Sequence, residues 1–204
     1  MEQGSEEWLK ARIGKITASR LADVLATVKS GESASRVNYR AELCAERMTG
    51  RKEETFTNSA MEHGTETEPI ARVAYELLTS SMVEQVGLVV HPTIRRAAAS
   101  PDGVVGVDGL VEIKCPKTAT HFGYLLSGVV PAKYIPQMAW QIVCTGRKWC
   151  DFVSFDPRVE EPDQLFVVRY VPTDEYLKEI TESVIKFDAE VEGMIEKIIL
   201  RRYT

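Results

Sequence analysis

The sequence lacks several features that mark other classes of protein. No apolar run approaches the ~20 residues of a membrane-spanning helix, and no charged-then-apolar leader opens the chain. With only three histidines and no Cys-x-x-Cys pair, the chain has no zinc-type cluster. We therefore expect an intracellular, cytoplasmic protein without a membrane partner. Its cysteines should be free thiols in a reducing compartment: Cys44, Cys115, Cys144 and Cys150.

The chain also lacks an excess of positive charge, with a net charge of −5 and a pI of about 5.4. This balance is unusual for a nucleic-acid-binding protein, but the distribution of charge matters more than its sum. Residues 29–52 are rich in lysine and arginine, whereas residues 173–204 are rich in acids. One interpretation is a basic N-terminal part that faces DNA and an acidic C-terminal helix that faces solvent. The alternative is an ordinary mixture of solvated faces.

The composition is that of a globular protein, with 204 residues, 44% hydrophobic and 27% charged. This length predicts a single domain over 1–204 with a substantial core. Apolar periodicity and capping residues predict helices over 5–12, from Thr17 to Leu25, and over 36–49, 56–79, 117–127, 132–145 and 173–202. Alternation and β-branched or aromatic content predict strands over 83–90, 94–99, 149–155 and 164–171. The first two of these strands should form a meander with a central hairpin.

The segment 56–79 contains Pro69, which predicts a kink or a fresh helix start because proline cannot donate to the helical ladder. After Pro69, five apolar residues recur with helical spacing and predict a stripe that faces the core. These residues are Ile70, Val73, Ala74, Leu77 and Leu78.

The central stretch of the chain contains Asp108-Gly109 between two short apolar runs, which predicts a tight hairpin turn. In the second run, Glu112 and Lys114 lie on one face because side chains alternate along a strand. Asp102 lies just before the first run, in a Pro-Asp-Gly turn. Folding of the hairpin therefore brings two carboxylates and a lysine towards the same point.

This trio has a specific chemical meaning. Two converging carboxylates bind a hard cation such as Mg²⁺, which takes phosphate as a further ligand. A neighbouring lysine can orient or deprotonate the attacking water, or neutralise charge in the transition state. The spacing Pro-Asp, nine residues, Glu-x-Lys is the signature of the PD-(D/E)xK nucleases. The structural alternative is a hairpin with a turn aspartate and a cross-strand Glu–Lys pair.

Further motifs occur along nearly the whole chain. They are Trp8-x-x-x-Arg12 with Ile16-Thr17-Ala18-Ser19; Gly64-x-x-x-Glu68-x-x-Ala71-Arg72; Ser100-Pro101-Asp102-Gly103 with Glu112-x-Lys114-Cys115-Pro116; Tyr134-x-x-Gln137; and Asp156-Pro157-Arg158. In this order they resemble the lambda-exonuclease-like, YqaJ-type viral recombinase family. Their joint occurrence is far more specific than the nuclease motif alone.

The resemblance implies roles for individual residues. Asp102 and Glu112 would bind the catalytic Mg²⁺, with Mn²⁺ as a substitute, and the Ile113 carbonyl would be a further ligand. Lys114 would act on the nucleophilic water. Glu68, taken alone, would be interpreted as a solvent-facing glutamate near a helix N-terminus. It falls where the family has an additional acidic active-site residue.

The resemblance also implies a helix in the active site, which carries Gln137, and a pocket for a DNA 5′-phosphate. The pocket residues would be Arg12, Ser19 and Ser100. The chain departs from the family after the Cys-Pro segment, where it offers Thr120 or His121 in place of an arginine. This departure implies a phosphate pocket that is built differently.

By resemblance, the fold would be α/β, a restriction-endonuclease-like core with a mixed β-sheet flanked by helices. The function would be Mg²⁺-dependent 5′→3′ exonucleolysis of double-stranded DNA. Release of 5′-mononucleotides would leave a 3′ single strand for phage-type recombination in a bacterial host. The expected assembly is a ring-shaped homotrimer that works with a phage single-strand annealing protein. The alternatives are a structure-specific endonuclease on the same core and an inactive DNA-end-binding module.

Overall fold

A computed structural model describes residues 1–52 and 59–202 of the protein. The helices are α1 (Glu6–Arg12), α2 (Leu21–Val24), α3 (Ala34–Thr49), α4 (Ser59–Thr79), α5 (Thr118–Ser127), α6 (Ile135–Thr145) and α7 (Asp174–Leu200). The strands are β1 (Ile16–Thr17), β2 (Val83–Glu84), β3 (Val89–Val90), β4 (Ala97–Ala99), β5 (Gly103–Val105), β6 (Gly109–Lys114), β7 (Trp149–Phe155) and β8 (Leu165–Tyr170). Short 3₁₀ turns precede α2 and α6, over Ala18–Arg20 and Ala132–Tyr134.

The main sheet is mixed and has five strands in the order β2-β5-β6-β7-β8. Its central pair, β6 and β7, is parallel, while the other neighbouring pairs are antiparallel. Parallel neighbours need a crossover connection, which α5 and α6 supply. A second, three-stranded sheet has the order β1-β4-β3. This arrangement confirms the predicted mixed α/β core flanked by helices.

Helix boundaries follow the local capping signals. The Ser5 side chain accepts a hydrogen bond from the Trp8 amide at the start of α1, and Thr173 caps α7 in the same way through the Tyr176 amide. Gly50 ends α3 in the left-handed conformation, at φ 66°, which glycine adopts without a side-chain clash. The helices over 36–49, 117–127 and 173–202 are therefore confirmed to within a few residues.

Helix α4 differs from its prediction in two respects; the predicted residues 56–58 lie outside the described residues. The helix continues through Pro69 rather than starting again there. The predicted core stripe is wrong, because Ile70, Val73, Leu77 and Leu78 are 54–78% exposed. Instead, the face that carries Thr67, Ala71 and Tyr75 is buried.

A buried hydrogen bond explains the orientation of α4. The Tyr75 hydroxyl donates to the Asp151 carboxylate on β7 at 2.8 Å, and both side chains are buried. A buried carboxylate without partners is costly, so this contact and the Arg169 guanidinium at 2.8 Å satisfy Asp151. The helix therefore turns Tyr75 towards the sheet and leaves its more apolar face outside.

The strand prediction over 83–90 is also wrong in part. The segment forms two short strands that belong to different sheets: β2 pairs with β5, while β3 pairs with β4. Between them, the Gln3 side chain donates to the Val86 carbonyl at 2.9 Å, so the N-terminal segment crosses this point. Thr17 pairs with Ala98 as part of β1 and is also the N-cap of the 3₁₀ turn Ala18–Arg20, which leads into α2, so the helix predicted from Thr17 to Leu25 forms as a 3₁₀ turn followed by a short α-helix. The three-residue strand β4 lies within 94–99 and confirms that prediction.

The central hairpin forms as predicted, but its turn lies elsewhere. Val105 pairs with Gly109, so the connection consists of Gly106, Val107 and Asp108. Gly106 supplies the positive φ, at 53°. Gly109 is needed for a different reason: a Cβ atom there would lie 2.2 Å from the Trp149 ring.

The charge distribution does not separate as the sequence suggested. Arg36 and Arg40 on α3 form ion pairs with Glu190 on α7 at 2.7 and 2.9 Å. Arg47 pairs with Asp188 at 2.6 Å on the same helix. Three arginines of the basic segment therefore pair with the acidic helix, and this pairing holds α3 against α7.

Two simpler findings concern the cysteines and the helices. All four cysteines are free thiols, as predicted. No helix there has the length and apolar character needed to cross a membrane.

Candidate active site

The hairpin brings the two motif carboxylates together. Asp102 precedes β5, and its Oδ2 accepts a hydrogen bond from the Ile113 amide on β6 at 2.6 Å. Glu112, one residue before Ile113, is fully buried. Its two carboxylate oxygens accept from Gln137 Nε2 and Gln141 Nε2, each at 2.5 Å. The strand and helix α6 thus hold the Glu112 carboxylate in one orientation.

Lys114 completes the cluster. Its ammonium forms an ion pair with Glu112 and lies 5.5 Å from the centre of the Tyr134 ring. Burial alone would lower the pKa of Lys114, but Glu112 and Asp102 outweigh it and raise that pKa above its ordinary value. The lysine therefore carries its positive charge next to the carboxylates.

A cavity of about 610 Å³ opens beside this cluster. Asp102, Ile113 and Lys114 line one side, and α4 contributes Glu68. Glu68 pairs with Arg72 one turn later, at 2.8 Å, and so does not point freely into solvent. The structure thus brings Glu68 to the same cavity as the motif residues.

Three carboxylates, those of Asp102, Glu112 and Glu68, lie close enough together at this cavity to interact electrostatically. Burial and the neighbouring carboxylates of Glu112 and Glu68 raise the pKa of Asp102 well above its ordinary value, despite the opposing effect of Lys114. Among the described residues, no three His, Cys, Asp or Glu side chains are grouped as a metal cage. Mg²⁺ commonly takes only one or two protein carboxylates, with waters and phosphate as its other ligands. Asp102, Glu112 and the Ile113 carbonyl fit that requirement.

A second group of residues gathers around Ser100, which lies two residues before Asp102. The Arg12 guanidinium stacks on the Trp8 ring at 4.2 Å, and its two terminal nitrogens donate to Ser100 Oγ and Ser19 Oγ, each at 3.4 Å. Trp8 Nε1 also donates to Ser100 Oγ, at 3.0 Å. Burial lowers the pKa of Arg12, and within the described ranges it forms no ion pair with a carboxylate. A partly buried guanidinium without an ion-pair partner can bind an anion.

The structure argues against a phosphate-binding role for His121. This side chain is fully buried, with Nδ1 2.8 Å from Ser154 Oγ and Nε2 2.7 Å from the Asp163 carbonyl. Both ring nitrogens therefore have protein partners. Thr120 lies on α5 outside the lining of the cavity. His121 therefore does not replace the arginine of the family pattern.

Three residues of this region have no role in the sequence prediction. Gln141 lies one helical turn after Gln137 and holds the second oxygen of Glu112. The spacing of four residues was a signal that could have identified it, because it places both amides on one helix face. Lys117 and Arg158 also line the cavity, on the side of the β6–α5 connection.

The fold and this cluster define a restriction-endonuclease-like core with a PD-(D/E)xK-type site. The chain belongs to the family of the YqaJ-like viral recombinase domain, whose model matches residues 7–148. A curated relative, the uncharacterised protein R354 of Acanthamoeba polyphaga mimivirus, is 28% identical over 166 residues. That match includes 75% of this chain but only 29% of the viral protein.

Solved structures extend the similarity to almost the full length. The alkaline exonuclease LHK-Exo of Laribacter hongkongensis has a TM-score of 0.90 and 48% identity, with 98% of each chain covered. Its complex with dAMP gives a TM-score of 0.91 at 47% identity, also with 98% of each chain covered. A phage-related exonuclease from Haemophilus somnus 129PT has a TM-score of 0.71 over 90% of this chain and 96% of its own, and at 14% identity it supports the fold alone.

Proposed function

We propose that the protein is a Mg²⁺-dependent exonuclease that degrades double-stranded DNA from the 5′ end. It would release 5′-mononucleotides and leave a 3′ single-stranded overhang for phage-type recombination. The observation that carries this proposal is the position of Ser100, which contacts Arg12 and lies two residues before Asp102. A terminal phosphate held by Arg12 would therefore lie next to the carboxylates that act on the first phosphodiester.

The chain's own residues have distinct tasks in this proposal. A bound Mg²⁺ would neutralise charge on the scissile phosphate and activate a water. Asp102, Glu112 and the Ile113 carbonyl would hold the ion. Lys114 would orient the attacking water and stabilise negative charge on the phosphate. Gln137 would keep Glu112 in its ligating orientation through the 2.5 Å hydrogen bond.

The related structures support this assignment. LHK-Exo is an alkaline exonuclease and has been solved with dAMP, which is a mononucleotide. With 48% identity over 98% of each chain, a shared reaction is the simplest expectation. Glu68 lines the same cavity and would add its charge to the metal site.

The direct test compares 5′-phosphorylated linear duplex with covalently closed circular duplex of the same sequence, each incubated with Mg²⁺. An exonuclease needs an end, so only the linear duplex should yield mononucleotides. Cleavage of the closed circle would favour a structure-specific endonuclease. Binding to ends without any product would favour the inactive end-binding module. The Glu112→Gln variant is the control for contaminating nucleases.

We further propose that three chains form a ring around the duplex and work with a phage single-strand annealing protein. The exposed apolar strip of α4 supports assembly, because soluble monomers rarely leave such contiguous surface uncovered. A ring would also gather the positive charge of three net-acidic chains around the phosphates. Light scattering should give three times the 22.8 kDa chain mass. The monomer mass at micromolar concentration would contradict the ring, without bearing on the chemistry.

A further inference from the structure

Arg158 is fixed beside the cavity by a buried carboxylate. Asp156, at the end of β7, is fully buried, and its Oδ1 accepts from the Arg158 amide at 3.0 Å and from Arg158 Nε at 2.7 Å. Its Oδ2 accepts from Arg158 Nη2 at 3.0 Å and from Thr118 Oγ1 at 2.6 Å. The guanidinium is thus held by two parallel hydrogen bonds, the arrangement that arginine forms with a carboxylate.

The rest of the guanidinium faces the cavity. Arg158 Nη2 also donates to the Pro116 carbonyl at 2.9 Å, while Nη1 has no hydrogen-bond acceptor among the residues that the structure describes. The side chain is 49% exposed and lines the same cavity as Asp102 and Lys114. A donor that is held in place but has no acceptor is available to a ligand.

The position of Arg158 relative to the other groups suggests which part of a substrate it meets. Under the proposed function, the 5′-phosphate is held by Arg12 and Ser100, which lie outside the lining of the cavity. The scissile phosphate would lie at Asp102, which lines the cavity. Because Arg158 lines the same cavity, a strand that passes from Arg12 to Asp102 and on into the cavity would meet Arg158.

We propose that Arg158 contacts the phosphate that follows the scissile phosphate on the cleaved strand, and that Asp156 is its positioning residue. The inference rests on the proposed exonuclease function and extends it to a specific substrate contact. The structural alternative is that the pair only joins β7 to the β6–α5 connection through Pro116 and Thr118.

The test neutralises one phosphate at a time. A 5′-phosphorylated duplex carries a single methylphosphonate at the second linkage of the cleaved strand, and release of the first nucleotide is followed under single-turnover conditions with Mg²⁺. For the wild type, we expect the neutral linkage to slow release about tenfold. This lies at the lower end of the range for a charge-assisted hydrogen bond, because Arg158 is half exposed and shares its charge with Asp156.

The Arg158→Gln variant should be about tenfold slower on the normal duplex and should lose nothing further with the methylphosphonate. Arg169→Gln is the matched control: Arg169 is 52% exposed and pairs with the buried Asp151, but lies away from the cavity. It should behave as the wild type on both substrates. Thermal unfolding identifies any variant that fails to fold, in which case Arg158→Lys is measured instead.

The proposal would be overturned if the methylphosphonate slowed nucleotide release by Arg158→Gln as much as it slows release by the wild type. A purely structural role of Arg158 would leave the methylphosphonate effect intact in this way. A normal rate for Arg158→Gln would overturn it as well. Failure of the proposed function looks different, since the wild type would then release no mononucleotide from the unmodified duplex.

Discussion

Arg12→Ala should remove the protein's preference for phosphorylated 5′ ends. The guanidinium reaches Ser100 and Ser19 at 3.4 Å, longer than the ~2.9 Å of a strong N–H···O hydrogen bond. Its donors can therefore shift to a phosphate that enters between the two hydroxyls. A terminal phosphate carries more negative charge than an internal one, so the guanidinium should discriminate between them.

The magnitude of this preference follows from the lack of an ion-pair partner for Arg12 among the described residues. A hydrogen bond to a charged group contributes about 1.5–3 kcal/mol, which corresponds to roughly ten- to a hundredfold in rate. Since Arg12 has no ion pair in the described structure to weaken it, the wild type should prefer a 5′-phosphate over a 5′-hydroxyl end by a factor in this range. In Arg12→Ala the ratio should fall to near one.

The assay measures the initial rate of nucleotide release from matched duplexes that differ only in the 5′ group. Arg20→Ala is the control, because Arg20 stacks on the Tyr39 ring at the same 4.2 Å but pairs with Asp23 at 2.5 Å and Glu42 at 2.7 Å. That variant should keep the full preference. A full preference in Arg12→Ala would refute the reasoning, and the phosphate pocket would have to lie elsewhere.

Further predictions concern the carboxylates and the residues that support them. Glu112→Gln should abolish cleavage while the fold persists, and Lys114→Ala should abolish turnover but retain Mg²⁺-dependent DNA binding; near-wild-type rates would remove either residue from the mechanism. Gln141→Leu should raise the Mg²⁺ concentration for half-maximal rate by about ten- to a hundredfold, because Glu112 loses the partner that orients it, and an unchanged requirement would contradict this role. Burial would raise the pKa of Asp156, but hydrogen bonds from Arg158 and Thr118 lower it from 3.8 to about 2. Its ionised form therefore stabilises the fold above pH 4, and this contribution is lost as pH falls towards 2. Between pH 5 and pH 3, urea unfolding of Asp156→Asn should show a loss about 1 kcal/mol smaller than that of the wild type, and equal losses would count against the assignment.

The site was more predictable from the sequence than the surface of the fold. Strand alternation places Glu112 and Lys114 on one face, and the hairpin brings Asp102 to the Ile113 amide, as the local pattern predicts. These relations depend on residues close in sequence. Their catalytic roles stay predictions until activity is measured.

The errors arose where a distant contact decides between local alternatives. After Pro69, α4 has apolar residues on more than one of its faces. Periodicity alone therefore could not show that Tyr75 faces Asp151, which lies 76 positions later. The charges of α3 looked available for DNA because their partners on α7 lie far along the chain. The hairpin turn precedes Gly109 instead of including it. Gly109 belongs to β6, where a side chain would clash with the Trp149 ring.

The central claim is that DNA is degraded from its 5′ end, and the most direct measurement follows two labels on one blunt duplex. The phosphate at the 5′ terminus carries one label and the 3′-terminal nucleotide carries another. During digestion with Mg²⁺, we predict that the 5′ label appears first, as a mononucleotide, while the 3′ label remains in a shortening strand. Early release of the 3′ label as a mononucleotide would contradict the account.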